Sequence, residues 1–533
     1  MKKFIYIFLF LIGIFTNAQT ELVFVYFKDK PNSAAFFANP TLELTQKSLD
    51  RRSNLGIALV EQDAPIEPTY IQNIKDLGYT VTDYSKWLNG VAVEADAAQI
   101  ADLKTKPYVE KVESFIVHPA TPIIKKEKEN KFENIDKNSL TSFNYGLGAA
   151  QIDQVNLRAV HVAGYTGKNI TIAVIDTGFP TVDTGSVYAR IRTNNQIKGG
   201  YNFVNKSSDI YNVTLDNHGS YCLGVIAGYV ENSFVGSAPD ADFYLYASED
   251  NTKEVPQEEL YWIEAAEEAD RKGVDIISTS LGYYDFDDPR YNLLYSDMDG
   301  KTSFIARGAE IATKKGIIVV AANGNEATKA FHYLITPADN KDVFSIGAVT
   351  STGDAASFSS FGPNANGDIK PDGSTRGQIT YMGFNNAVTS GGGTSFATPL
   401  AAGGIACILQ ANYSENRDTI KDLLRQKASL YPAHDDQRGF GILNFGEVMN
   451  NVLATSSEIK QNNLKIYPNP VTDILNVKSS ETLLSVEIFD NLGRKIKNLK
   501  NTYQNNIHNL QPGIYYLKIK TEKAKYIEKF IKK

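Results

Sequence analysis

Residues 169–178 read NITIAVIDTG, a run whose apolar residues do not alternate with polar ones and which stops at Asp176 before a Thr–Gly turn. A strand that buries one face alternates; a continuous apolar strand has to be covered on both faces, which is the condition inside a parallel sheet. The same character recurs in DFYLYAS (242–248), VDIISTSLG (274–282), GIIVVAANGNE (316–326) and VFSIGAVT (343–350). Helical stretches such as EELYWIEAAEEADRKG (258–273) and SFIARGAEIATKKG (303–316) lie between them. From about Tyr145 to Leu453 this predicts an α/β domain, a mainly parallel sheet wrapped by helices. In such sheets ligands gather at the carboxyl ends of the strands. Those ends are where the polar residues stand.

Outward from this domain the character of the chain changes. Residues 21–115 alternate strand-like ELVFVYF, LNGVAVEA and YVEKVES with helix-like TLELTQKSLDRRS and AAQIADLKTK, which predicts a small α+β unit. Residues 119–142, PATPIIKKEKENKFENIDKNSLTS, are too polar to bury a core and read as an exposed, cleavable linker. The N-terminus, MKKFIYIFLFLIGIFTNAQ, has two lysines, a short apolar stretch and a small residue before Gln19, the layout of a cleaved export signal. No later run reaches the roughly 18 consecutive apolar residues of a spanning helix, so a soluble exported protein with no transmembrane segment is expected. The divisions drawn are a signal at 1–18, the α+β unit at 19–118, the linker at 119–142, the large domain at 143–455, a second linker at 456–463 and a tail at 464–533.

That tail carries 14 Lys+Arg against 6 Asp+Glu from Lys460 onward, a net +8, whereas the whole chain carries −7. The step marks a domain boundary and is weak evidence about partners; nothing else suggests nucleic acid. Alternating apolar positions between turn signals predict a small antiparallel sandwich there. With only Cys222 and Cys407, the protein is no disulfide scaffold.

Three polar residues of the large domain sit at element ends. Asp176 closes its strand, His218 opens HGSYCLGVIAG, and Ser395 opens a helix within GGGTSFATPLAAGG (391–404). Singly, each reads equally well as a turn former or helix cap. Jointly they make a sufficient set for acyl transfer, in which a hydroxyl attacks, an imidazole takes its proton and a carboxylate holds the imidazole. A helix N-terminus behind Ser395 adds backbone N–H groups and a favourable dipole for an oxyanion.

IAVIDTG, HGSYCLGVIAG and GTSFATPLAAG resemble the three signature motifs of the subtilisin-like serine proteases, in the same order, over roughly residues 145–450. The resemblance implies an endopeptidase working through an acyl-enzyme, with Asp176 orienting the base, His218 as general base and acid, and Ser395 as nucleophile. It implies that Asn325, in VVAANGNEA, supplies the oxyanion amide, with Asn323 a second candidate because it replaces a small residue of the family pattern. It also implies that Ser280, Leu281, Gly282 and Gly324 line the substrate, the first three by pairing with the peptide as an added strand. No catalytic cofactor or metal is expected; structural calcium, common in the family, has no assignable loop. Residues 19–118 resemble a subtilase propeptide that folds and inhibits its enzyme. The tail, with KIYPNPVTDILNV and GIYYLKI, resembles the sorting domain of type IX secretion, so the secretion machinery, the propeptide and protein substrates are the expected partners. The competing reading is a catalytically silent subtilase fold serving as an adhesin or binding module. A glutamate-based serine-carboxyl peptidase is disfavoured by the histidine of HGS.

Overall fold

A computed structural model describes residues 19–118, 145–453 and 464–533, excepting 480–481, 491–493, 500–502 and 523–524. The expected signal at 1–18 and linkers at 119–142 and 456–463 lie outside the described residues. The chain forms two compact units, divided between Val448 and Met449.

Within the first unit, residues 21–114 form an antiparallel sheet of β1 (Glu21–Phe27), β2 (Tyr84–Ser85), β3 (Gly90–Ala95) and β4 (Val109–Ser114), in the order β2-β3-β1-β4. Strand β1 shows how one sheet serves two cores, because successive side chains point to opposite faces. Val23, Val25 and Phe27 pack with Ile74, Val93 and Leu103 in the unit's own core. Leu22, Phe24 and Tyr26 instead join a second cluster with Trp262, Ile263 and Phe304 of the large domain. Strands β1, β3 and β4 match the strand-like stretches of the sequence, whereas the two-residue β2 and the helix Pro68–Asp76, which covers the inner face, do not appear in that reading.

The large domain is built on seven parallel strands: β5 (Thr171–Asp176), β6 (Ile197–Asn202), β7 (Asp242–Ala247), β8 (Ile276–Thr279), β9 (Ile318–Ala322), β10 (Phe344–Val349) and β11 (Gly373–Arg376). Their order is β11-β10-β9-β8-β5-β7-β6, and every neighbouring pair is parallel. All six residues of β5 are buried, as its continuous apolar run demands. The edge strands β6 (IKGGYN) and β11 (GSTR) have no such run and were not foreseen.

Five helices position the rest: α1 (Gln46–Leu55), α2 (His218–Ala227), α3 (Gln257–Lys272), α4 (Phe304–Lys314) and α5 (Thr394–Ala411). Helix α5 is long and apolar enough to cross a membrane by composition, yet it is the core helix of this domain, buried from Phe396 to Leu409. Its small residues permit that: a Cβ on Gly404 would meet the Phe445 ring at 2.3 Å.

Helices α3 and α4 carry the N-terminal sheet. Phe115 stacks on Phe304 with centroids 3.8 Å apart. Glu267 of α3 accepts from Ser85 Oγ at 2.6 Å and from the Trp87 N–H at 3.0 Å. A buried ion network completes the seam: Asp270 of α3 pairs with Arg51 and, at 2.7 Å, with Arg52 of α1. Asp63 pairs with Arg52 at 3.0 Å and with Lys315 at 2.9 Å. Burial works against the charge on Asp270, but the two guanidinium groups hold its carboxyl below the usual range.

The second unit contains two antiparallel sheets. One joins Leu464–Tyr467, Ile474–Ser479 and Gln504–Asn506; the other joins Lys495–Leu499, Leu483–Asp490, Gly513–Thr521 and Lys525–Lys532. Val477, Val486, Ile488, Leu517 and Phe530 share one core, so the unit is the small sandwich that alternation predicts.

Candidate active site

The parallel sheet delivers Asp176 to the carboxyl end of its central region, and α2 and α5 start beside it. Helix α2 comes close because residue 219 is glycine, where a Cβ would lie 2.3 Å from the Gly178 carbonyl and 3.0 Å from the Asp176 Cβ. The first residue of α2 is thereby held on the carboxylate: His218 Nδ1 lies 2.6 Å from Asp176 Oδ1. That same oxygen accepts the Thr177 N–H at 2.8 Å. Oδ2 is buried with no hydrogen-bond partner among the described residues. Burial disfavours a charged imidazole, but the adjacent Asp176 carboxylate more than offsets it and holds the His218 pKa well above its ordinary value.

Cys222, one turn into α2, links the histidine to the serine helix. Its Sγ lies 3.8 Å from His218 Nδ1 and donates to the Ser395 carbonyl at 3.4 Å. Burial pushes this thiol up to about 11, so it is a neutral filler at working pH. Both cysteines are free and buried. Among the other histidines, His161 is buried between the Tyr145 hydroxyl and the Ser237 carbonyl, a structural position.

Ser395 stands in the first turn of α5, where its Oγ donates to the Ser280 carbonyl at 3.4 Å while Ser280 Oγ donates to the Ser395 carbonyl at 2.8 Å. This reciprocal pair ties the serine to the end of β8. Residues Ser280–Gly282 lie between the last residue of β8, Thr279, and Tyr283, which resumes pairing by bridging to Thr336. Gly282 packs against Ile335, where a Cβ would fall 2.7 Å from its side chain.

The two asparagines left open by the sequence differ in geometry. Asn323 is fully buried and its amide donates to the Ser360 carbonyl at 2.8 Å. Asn325 Oδ1 accepts from both the Thr394 N–H and the Thr394 hydroxyl, each at 2.9 Å. That fixes the amide, with Nδ2 as its remaining donor. A Cβ on Gly393 would sit 3.6 Å from the Ser395 nitrogen and 3.7 Å from Asn325 Nδ2, so the glycine keeps clear a space that both donors border. Its φ of +150° is also one that side chains rarely adopt. Thr394, which orients Asn325, was not singled out from sequence; its signal is its place directly before Ser395 in GTS. Gly324 is buried, with its carbonyl accepting the Ser360 N–H at 3.0 Å.

Glu249, at the end of β7, accepts from the Tyr283 hydroxyl, and its carboxylate lies within 4.8 Å of those of Glu254 and Glu258. Burial and this mutual repulsion push Glu258 up to about 8 and Glu249 well above the carboxylate range.

A family profile described as the subtilase family matches residues 167–442, just over half of the chain. A peptidase S8 propeptide profile of Bacteroidota matches 22–134, and a secretion system C-terminal sorting profile matches 465–533. The chain is 29% identical over 381 residues to subtilisin NAT of Bacillus subtilis subsp. natto, covering 70% of this chain and 83% of that protein. It is 30% identical over 303 residues to a subtilisin of Bacillus pumilus, covering 55% of this chain and 95% of the relative. The chain belongs to the subtilase family: it is a serine endopeptidase made as a zymogen with its own propeptide and carried to the cell surface or beyond by a type IX sorting tail.

Proposed function

We propose that Asp176, His218 and Ser395 are the catalytic triad of this endopeptidase and that Asn325 completes its oxyanion hole. The observation that carries this reading is the 2.6 Å contact of His218 with buried Asp176 at the strand end where α5 presents Ser395. His218 takes the Ser395 hydroxyl proton as the oxygen attacks a peptide carbonyl, then returns it to the leaving amine. Asp176 fixes the ring through Nδ1, leaving Nε2 for the transfer, and stabilises the imidazolium that forms. The developing oxyanion is received by the Ser395 N–H and Asn325 Nδ2, in the space beside Gly393. An acyl-enzyme on Ser395 is then hydrolysed by water through the same base. Serine, imidazole and carboxylate supply all of this chemistry, so the mechanism calls for no cofactor.

A substrate peptide extends the sheet along Ser280–Gly282, beside the Ser395 tie, with Gly324 behind the oxyanion residues. We take 19–118 as the released inhibitor, 143–455 as the mature peptidase and 464–533 as the part handled by the secretion machinery. The test is Ser395→Ala in the full chain, expressed in a host lacking other secreted proteases. It is expected to fold, shown by an unchanged circular dichroism spectrum, while losing both peptide hydrolysis and propeptide release. Undiminished release contradicts self-maturation, and undiminished hydrolysis contradicts the assignment of the nucleophile.

A further inference from the structure

A cavity of about 620 Å³ lies at the seam between the propeptide and the peptidase and shares no lining residue with the candidate active site. Its volume is within the range of small-molecule sites. The peptidase side combines four aromatic rings with seven charged side chains. Tyr244 and Tyr246 project from β7 with ring planes 8° apart, Phe203 meets Tyr246 edge-on at 5.7 Å, and Tyr201 meets Phe203 at 4.9 Å. Gly199 and Gly200 of β6 put no side chain over these rings. The propeptide side contributes Tyr84 and Lys86.

Most charges around the cavity are in ion pairs; Lys86 and Glu267 are not. Lys198 pairs with Asp242 at 3.1 Å, Lys206 with Asp83 and Glu264 at 2.6 Å each, and Lys272 with Glu268 at 3.6 Å. Lys86 is only 8% exposed, yet its Nζ makes no hydrogen bond or ion pair with a described residue. Glu267 feels its charge, but the oxygens of that carboxylate are committed to Ser85 Oγ and to the Lys86 and Trp87 N–H groups. In the wall itself, the Tyr246 hydroxyl is buried with no partner among the described residues. Glu267 gives Lys86 a nearby opposite charge but no hydrogen bond, and the cavity beside the ammonium leaves room for an acceptor that makes one.

We propose that this cavity is a binding site for a small aromatic anion, whose ring stacks on the tyrosine wall and whose carboxylate or sulfonate meets Lys86. Aromatic faces receive planar rings, and a charge-assisted hydrogen bond to the ammonium supplies the counter-charge. Because Lys86 and Tyr84 belong to the propeptide while the rings belong to the peptidase, the occupant binds the joined form and not the separated parts. By mass action it therefore retains the inhibitor.

The probe is anilinonaphthalene sulfonate, titrated by fluorescence into the full-length Ser395→Ala chain, verified uncut by mass. Saturable binding to a single site is expected, weakened about tenfold or more by Lys86→Met, as befits loss of a charge-assisted contact. The neutral phenylnaphthylamine should not distinguish the two chains. Equal sulfonate affinity in both chains, or no saturable site, overturns the assignment. A second measurement needs no substitution at Lys86: sulfonate should slow hydrogen exchange at 82–86 and 198–203, and unchanged exchange there overturns it too. In self-processed enzyme, sulfonate at nine times its Kd should slow propeptide loss about tenfold; an unaltered rate refutes retention.

Discussion

Asp270 offers the sharpest test of how the zymogen is held together. Its carboxylate receives Arg51 and Arg52 from α1, and all three side chains are at most 2% exposed. Asp270→Ala leaves two buried guanidinium groups facing a void. Arg52 keeps Asp63 at 3.0 Å and Ser48 Oγ at 2.7 Å, and Arg51 keeps the Lys315 carbonyl at 3.2 Å and that of Val274. Removing one partner of a buried pair costs about 3–5 kcal/mol, and the surviving contacts argue for the lower end, about 3 kcal/mol. At about 1.4 kcal/mol per decade this is roughly a hundredfold loss of propeptide affinity, expressed mostly in the off-rate. The assay follows peptide hydrolysis after dilution of self-processed enzyme, in which the initial lag reports inhibitor departure. The lag should shorten about a hundredfold in Asp270→Ala and less in Asp270→Asn, which keeps an acceptor. A lag within twofold of the parent refutes the argument, because it means the network contributes nothing to retention.

Three other outcomes follow from the geometry. Since Asp176 raises the His218 pKa, activity should fall about tenfold per pH unit below a midpoint lying above the ordinary imidazole value near 6.5; the pH profile of kcat/KM measures it, and a midpoint below 6 contradicts it. Asn325→Ala should lower kcat by about 10²–10³ with little change in KM, and a change confined to KM would assign Asn325 to ground-state binding instead. Glu264, at the seam under the Tyr84 N–H, is pushed up to about 7 chiefly by burial. A carboxyl raised in the complex is neutral at low pH and is charged at a cost as pH rises through 7, so the complex is tighter at pH 5.5 than at pH 8. Propeptide loss should accelerate across that interval in the parent and flatten in Glu264→Gln.

The sequence was most legible where burial leaves a pattern. Strands β5, β7, β8, β9 and β10 were readable because burial on both faces requires unbroken apolar runs. Strands β6 and β11 were not, because IKGGYN and GSTR carry no such run and are strands by virtue of their neighbours. Of the site, Asp176, His218 and Ser395 stood out because each closes or opens an element within a motif. The sequence put Asn325 ahead of Asn323 by motif register alone; their different partners, Thr394 and Ser360, lie far along the chain and leave no local signal. Arg51 and Arg52 fall in the helix-like stretch TLELTQKSLDRRS, and their partner Asp270 lies more than 200 positions along the chain. Long-range pairing of that kind leaves no local periodicity to read.

The central claim is that Ser395 is an activated nucleophile. Mature, propeptide-free enzyme should be treated with a serine-directed fluorophosphonate probe and mapped by mass spectrometry. One adduct is expected, on Ser395, with parallel loss of peptide hydrolysis and no adduct in His218→Ala. An unlabelled Ser395 in folded, propeptide-free protein, or full hydrolysis after its labelling, would show that Ser395 is not the nucleophile.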